Sequence, residues 1–434
     1  MIILLQVGAI LAATKLAGWI CEKFSIAGVV GELLAGAIIG PFLLGNFIRI
    51  PVHGLWIPLF PRPIDASVWP VNDVIWSMAQ LASIVLLFIT GLHTDLKQFF
   101  RYVGPASVVA LVGLLVPFGL GVGVVYIPFF ADLARHSPGE GVLVPALFVG
   151  AILAATSIGI TARVLNDLNK LDTPEGVTII GAAVLDDVLG IILLAIVGGI
   201  ADAGTVSSAQ IAAISAKALG FWIALTTISL ALAKPIERWI KQVDYSGALV
   251  GLGLALAMIC SAAAESFGLA FIIGAYSVGL GLSRTKMAHE LLHKLQPVND
   301  FLVPIFFAAL GMLVNFQAML SDWRVIAFGL TVTLVAIIGK VIGCGGSAYL
   351  TGFNERGAYR IGLGMMPRGE VALIVAGIGL SRQIIQENVF GVSIMMTLLT
   401  TVLAPIMLVP AFAKGGRGTR KPPKLPDFAQ QISE

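Results

Sequence analysis

The stretch GAAVLDDVLGIILLAIV, from Gly181 to Val197, decides the fold. Apart from the adjacent Asp186 and Asp187 it holds only Gly, Ala, Val, Leu and Ile. It lies inside a longer apolar run, 176–200, that is long enough to cross a bilayer as a helix. A carboxylate at the middle of such a helix is costly, and its use is functional by default. The rest of the chain has the same character. Its 434 residues are 58% hydrophobic and 12% charged, with a mean hydropathy of +0.96. Soluble domains carry about a quarter charged residues, so the composition excludes a soluble globular protein and implies a polytopic membrane protein. The net charge of +3 comes from scattered basic residues, which excludes a nucleic-acid binder. Cys21, Cys260 and Cys344 lie far apart and show neither metal nor redox spacing. The first basic residue is Lys15, so the N-terminal apolar run reads as a retained first helix rather than a cleaved signal.

Thirteen segments have the length and apolar character of spanning helices: 2–20, 26–44, 75–92, 103–128, 143–165, 176–200, 211–233, 247–264, 267–283, 299–317, 324–349, 357–380 and 389–413. The connection 45–74 is rich in Pro and Trp and reads as an interfacial hairpin or re-entrant piece, with Trp56, Trp69 and Trp76 at the water boundary. With the N-terminus outside, 18 of the 27 Lys and Arg residues fall on inner segments and five on outer ones. That bias predicts an N-out, C-in orientation in a bacterial inner membrane, with 414–434 as a short basic cytoplasmic tail. No GxxxxGK[ST] and no strand-to-helix GxGxxG occurs, so neither an ATP-driven cycle nor a bound cofactor is expected.

The polar residues within these spans suggest an ion site. Two ionised carboxylates roughly 5 Å apart repel by about 3 kcal/mol at an effective dielectric near 20. Asp186 and Asp187 therefore favour holding a proton or a cation, unless they serve as a hydrogen-bonded structural pair. Lys340, in AIIGKVIGCGG, lies roughly 13 Å from the inner end of its helix, too deep for easy snorkelling, and is the obvious counter-charge. Thr156 and Ser157, in ILAATSIGITARVL, weaken a helix and offer hydroxyl and carbonyl oxygens; ordinary helix packing is the other reading. In LGMMPRGEVALIV, Pro367 and Gly369 interrupt a late helix, flanked by Arg368 and Glu370. Those two could carry ions or only fix the break. Paired breaks in two halves of a chain point to a transporter with inverted repeats and a midplane site. Glu32, in VVGELLAGAIIGPFLL, sits among small residues that favour close helix packing.

Together GELLAGAIIGP, ATSIGITARVLNDLNKLDTPEG, GAAVLDDVLGIILLAIV, GKVIGC and PRGEVAL resemble the bacterial Na⁺/H⁺ antiporters of the monovalent cation/proton antiporter superfamily, in the thirteen-helix branch with an Asp-Asp pair. The resemblance runs from the second span to the twelfth. It implies an all-α fold with interrupted helices 5 and 12 crossing near the midplane. It implies that Asp187 is the ion-binding carboxylate, with Asp186 completing the Na⁺ or Li⁺ site and pairing with Lys340 when the site is empty. Thr156 and Ser157 match the crossover on helix 5, and Arg368 and Glu370 the polar pair beside the break in helix 12. It further implies a homodimer, with core helices over about 103–200 and 324–413, dimerisation helices over about 1–92 and 211–317, and elevator-type alternating access. Two protons would exchange for one Na⁺, making transport electrogenic.

Three rivals compete with this reading. A K⁺/H⁺ antiporter or K⁺ efflux protein of the same superfamily usually carries Gln-Asp and a large cytosolic domain, whereas this chain has Asp-Asp and a short tail. An intramembrane aspartyl protease needs aspartates on two helices, with a GxGD that is missing here. A channel differs from a transporter by its flux stoichiometry.

Overall fold

The structure, a computed structural model, describes residues 2–24, 28–52, 55–61, 71–134, 141–203, 208–243, 247–267, 269, 271–314 and 322–420. It is almost wholly helical. The first part of the chain forms α1 (Ile2–Lys23), α2 (Gly28–Ile39) and the short α3 (Leu44–Phe47), then α4 (Asp73–His93) and α5 (Leu96–Val125). Next come α6 (Pro128–Ala134), α7 (Leu143–Ala154), α8 (Ile158–Asp167), α9 (Pro174–Ala203) and α10 (Ser208–Gln242). The later part holds α11 (Ala248–Ser266), α12 (Phe271–Leu282), α13 (Met287–Met312), α14 (Trp323–Leu350), α15 (Glu355–Gly364), α16 (Glu370–Ser381) and α17 (Glu387–Ala413).

Local chemistry sets many of the boundaries. Asn72, Asp95, Asp322 and Asn354 cap α4, α5, α14 and α15 by accepting hydrogen bonds from first-turn backbone N–H groups that the helix itself leaves unpaired. Inside the bundle small residues let backbones approach. A side chain at Gly36 of α2 would strike the backbone of Ala308 on α13, and one at Gly311 of α13 would strike that of Leu33 on α2. The α1–α2 pair packs on α13, α13 on α4, and α4 on α12, which also meets α10 and α11. Around the other centre, α5 packs against α7, α9 and α14, and α14 against α15 and α17. Large apolar side chains that remain exposed, such as Leu4, Trp19, Ile342 and Leu350, lie along the outer faces of long helices, where lipid would cover them.

Eleven helices among the described residues are long and apolar enough to cross a membrane. The two expected spans not in that set, 267–283 and 357–380, are occupied by shorter helices. One holds the 12-residue α12, which is buried almost throughout, and the other is divided between α15 and α16. Of expected span 299–317, residues up to Met312 form the second half of α13, which begins at Met287 and carries Pro297 and Pro304, and 315–317 lie outside the described residues. The 45–74 connection contains a two-stranded antiparallel hairpin, Arg49–Val52 with Leu55–Pro58. Gln6 Nε2 of α1 donates to Leu59 O at 2.6 Å beside it. Trp56 on this hairpin is exposed and Trp76 on α4 half-buried, while Trp69 lies outside the described residues.

Of the expected tail 414–434, residues 421–434 lie outside the described residues. Residues 415–420 fold back on the bundle: Asn354 N donates to Gly418 O at 2.9 Å and Arg420 N to Gly352 O at 2.9 Å. Beneath this strap Arg360 of α15 pairs with Glu175 of α9 at 2.7 Å, both side chains buried.

Candidate functional site

Both expected interruptions occur, and the local sequence explains them. The span 143–165 is cut at Ala155–Ser157, where Ala155 (φ −57°, ψ 141°) and Ser157 (φ −94°, ψ 115°) leave the helical region. In the span 357–380, Met366–Gly369 is non-helical between α15 and α16. Pro367 supplies no N–H and disfavours helical geometry at Met366.

The two breaks touch. Ser157 N donates to Pro367 O at 2.9 Å, so one interruption satisfies a backbone group that the other exposes. Thr161 Oγ1 donates to Gly364 O at 2.6 Å, joining α8 to the end of α15. Gly369 is required at the crossing, because a Cβ there would lie 2.5 Å from Ser157 Oγ and 2.7 Å from Ser157 Cβ. Two helix C-termini and two helix N-termini thereby end within one buried region, bringing partial negative and positive charge together.

Asp186 and Asp187 lie midway along α9 and are 2% and 4% exposed. Asp186 is the carboxylate that meets the lysine: Lys340 Nζ lies 3.3 Å from its Oδ1 and 3.2 Å from its Oδ2. Lys340 is fully buried on α14, in keeping with a lysine too deep to snorkel. Gly113 on α5 makes room for Cys344 beside it, since a Cβ there would strike Cys344 Sγ while only touching Lys340 Nζ, at 3.8 Å. Arg368 is also fully buried and within electrostatic range of Asp186 and Lys340. Its Nη2 donates to Ala336 O at 3.4 Å, while Nε and Nη1 have no hydrogen-bond partner among the described residues. Thr156 is buried next to the crossing, and its Oγ1 likewise has no partner.

Two expected members remain, Glu370 and Glu32. Glu370 opens α16, but its side chain lies outside the described residues. Glu32 is buried on α2, within electrostatic range of Arg163 on α8 and Lys15 on α1 rather than beside Lys340, and its Oε2 has no hydrogen-bond partner among the described residues.

Other contributors escaped the sequence reading. Arg368 N donates to Thr400 Oγ1 at 3.2 Å, and Thr401 Oγ1 donates to Arg368 O at 2.8 Å, so α17 clamps the second break from both sides. The only sequence signal for them was a Thr-Thr pair in the middle of an apolar span. Gly113 and Cys344 gave none.

Comparison with known proteins identifies the family. The family model of the transmembrane sodium/hydrogen exchangers matches residues 10–414. The chain is 34% identical to the high-affinity Na⁺/H⁺ antiporter NhaS3 of Synechocystis, over 98% of this chain and 93% of that one. It is 32% identical to the Na⁺/H⁺-K⁺ antiporter GerN of Bacillus cereus, over 93% and 94% of the two chains. Its fold is similar to the solved structure of the sodium proton antiporter MjNhaP1 from Methanocaldococcus jannaschii, with a TM-score of 0.62 at 18% identity, covering 95% of this chain and 98% of that one. The chain belongs to the transmembrane sodium/hydrogen exchanger family.

Proposed function

We propose that this protein is a secondary Na⁺/H⁺ antiporter, also accepting Li⁺, in which Asp187 and Asp186 hold either protons or a cation. The observation that carries the reading is the buried Lys340–Asp186 pair, 3.2 Å apart, on helices around two crossed helix breaks. An ion pair deep in a bundle is costly to desolvate and is a weak stabiliser, so its retention favours a working role. With Lys340 neutralising Asp186, Asp187 is left as the carboxylate that exchanges protons for the cation. Thr156 and Ser157 supply neutral oxygens from the broken helix. Arg368 and Glu370 support the second break, and Glu32 serves packing between helices. Asp186, Asp187, Thr156 and Ser157 offer the hard oxygen donors that suit an alkali cation.

The two packing centres support an elevator in which α5, α7–α9 and α14–α17 move against α1, α2, α4 and α10–α13 of a homodimer. The basic-residue bias supports an inner-membrane setting with the N-terminus outside and the C-terminus cytoplasmic. Potassium is a second substrate to test, since the GerN relative is named a Na⁺/H⁺-K⁺ antiporter.

The experiment is dye-reported proton flux in proteoliposomes, with Na⁺, Li⁺ and K⁺ added in turn to wild type and Asp187→Asn. Wild type should respond to Na⁺ and Li⁺, and the variant to none. Cation-dependent flux in a folded Asp187→Asn protein would remove Asp187 from the site.

A further inference from the structure

Between the start of α15 and the end of α17 the bundle leaves an open cavity of about 660 Å³. Its polar side is formed by Arg356, Tyr359 and Lys414, its apolar side by Ile406, Met407 and Pro410. We infer that this groove binds an anionic phospholipid, with the phosphodiester between Arg356 and Lys414 and an acyl chain along α17.

The two arginines of α15 have separate duties. Arg360, one turn after Arg356, is buried and fully engaged. It donates to Glu175 Oε1 at 2.7 Å, Ala411 O at 3.1 Å, Gly416 O at 3.0 Å and Gly415 O at 2.5 Å. Arg356 and Lys414 are exposed and join no ion pair among the described residues. Nor are they loosely placed. Residues 415–420 are tied to the start of α15 by Asn354 N to Gly418 O at 2.9 Å and Asn354 Nδ2 to Arg417 O at 2.7 Å. Gly416 sits close to the Arg356 guanidinium, where a Cβ would come within 2.6 Å of Nη1. The strap therefore brings the backbone segments that carry Lys414 and Arg356 to one mouth in advance of any ligand, which lowers the ordering cost of binding.

Charge and polarity select the occupant. Glu355 on the rim leaves a net charge of +1, suited to a monoanionic phosphodiester. A soluble phosphate would satisfy the cations but leave the wall of Ile406, Met407 and Pro410 bare. That wall belongs to a 27-residue membrane-length helix, with Ile406 exposed outward. Half-exposed Tyr359 stands at the headgroup level favoured by amphipathic rings. The volume lies within the range of roughly 300–1,000 Å³ usual for small-molecule sites. The inference does not depend on which cation is transported.

The test is native mass spectrometry of the detergent-purified protein titrated with dioleoylphosphatidylglycerol, dioleoylphosphatidylcholine or glycerol 3-phosphate. Wild type should retain phosphatidylglycerol in preference to phosphatidylcholine and should not retain glycerol 3-phosphate. Each cation removed should weaken phosphatidylglycerol binding about fivefold, and Arg356→Ala/Lys414→Ala roughly thirtyfold, with lipid-free melting unchanged. Arg356→Lys/Lys414→Arg should retain the preference. Equal retention of the two lipids by wild type, binding of glycerol 3-phosphate, or an undiminished preference in the double alanine variant would overturn the assignment.

Discussion

A double-mutant cycle on Asp186 and Lys340 tests whether the buried pair behaves as one unit. At 3.2 Å, and an effective dielectric near 20, their attraction is about 5 kcal/mol. Lys340→Gln leaves a carboxylate enclosed on α9, and Asp186→Asn leaves an ammonium enclosed on α14 beside another buried cation, Arg368. Breaking a buried pair from one side costs about 3–5 kcal/mol, whereas removing both charges together can be close to neutral. Arg368 is within reach of Asp186 and takes up part of the loss in Lys340→Gln, so the coupling should fall toward the lower end, about 3 kcal/mol. The assay is unfolding of the four proteins in detergent at one pH, followed by tryptophan fluorescence. Each single variant should unfold well before wild type. Asp186→Asn/Lys340→Gln should unfold later than the weaker single variant. Strictly additive losses would mean that the two side chains do not sense each other in the folded protein, and the assignment of Lys340 as the counter-charge would fall.

Two further substitutions probe the crossing itself. Gly369→Ala pushes a methyl to 2.5 Å from Ser157 Oγ and 2.7 Å from its Cβ, which forces the two breaks apart. It should abolish exchange in proteoliposomes while the protein still elutes as a folded species; wild-type flux would show that the crossing tolerates separation. Thr156→Val keeps the shape and removes a buried hydroxyl that has no partner among the described residues. The expected result is a several-fold rise in the cation concentration for half-maximal flux with little change in maximal rate, since water can replace one neutral oxygen. An unchanged concentration dependence would make Thr156 a packing residue.

Much of this was legible in the sequence because the membrane penalises polar groups so heavily. A lysine nine residues from a helix end and two aspartates in an apolar run have few reasons to exist, and the structure brings Lys340 to Asp186 across 154 positions of chain. The interruptions were legible for a similar reason: Pro367 cannot donate and Gly369 cannot hold a helix as well as most residues do. What could not be read was which backbone groups answer those breaks. The bond from Ser157 N to Pro367 O and the clamp by Thr400 and Thr401 involve hydroxyls and carbonyls that every helix contains. Glu32 was read as a packing residue, and it does sit in the tight α1–α2 region near Lys15, yet its other cationic neighbour, Arg163, comes from α8, far along the chain. The short α12 shows the limit of counting by length: buried on nearly all sides, it needs no long lipid-facing surface.

The buried charges constrain the transport cycle. Asp186, Asp187, Lys340 and Arg368 sum to zero when all four are ionised. A proton on Asp187 makes the set +1. A Na⁺ on ionised Asp187, with Lys340 still protonated, also makes it +1. Exchanging one for the other would then move no net charge, at one proton per cation. If cation binding instead displaces the Lys340 proton as well, the Na⁺-loaded set is neutral, and two protons return for each Na⁺. Only the second cycle moves one charge across the membrane per turnover, with a drive of about 2.3 kcal/mol per 100 mV. If Lys340 carries the second proton, that proton decides whether exchange senses voltage. In proteoliposomes clamped with K⁺ and valinomycin, wild-type flux should change with the imposed potential, and Lys340→Gln, which has no such proton to lose, should be indifferent to it. Indifference in the wild type would assign the one-proton cycle and make Lys340 a fixed counter-charge. Full voltage sensitivity in Lys340→Gln would move the second proton to another carboxylate, with Glu370 at the start of α16 the next to substitute.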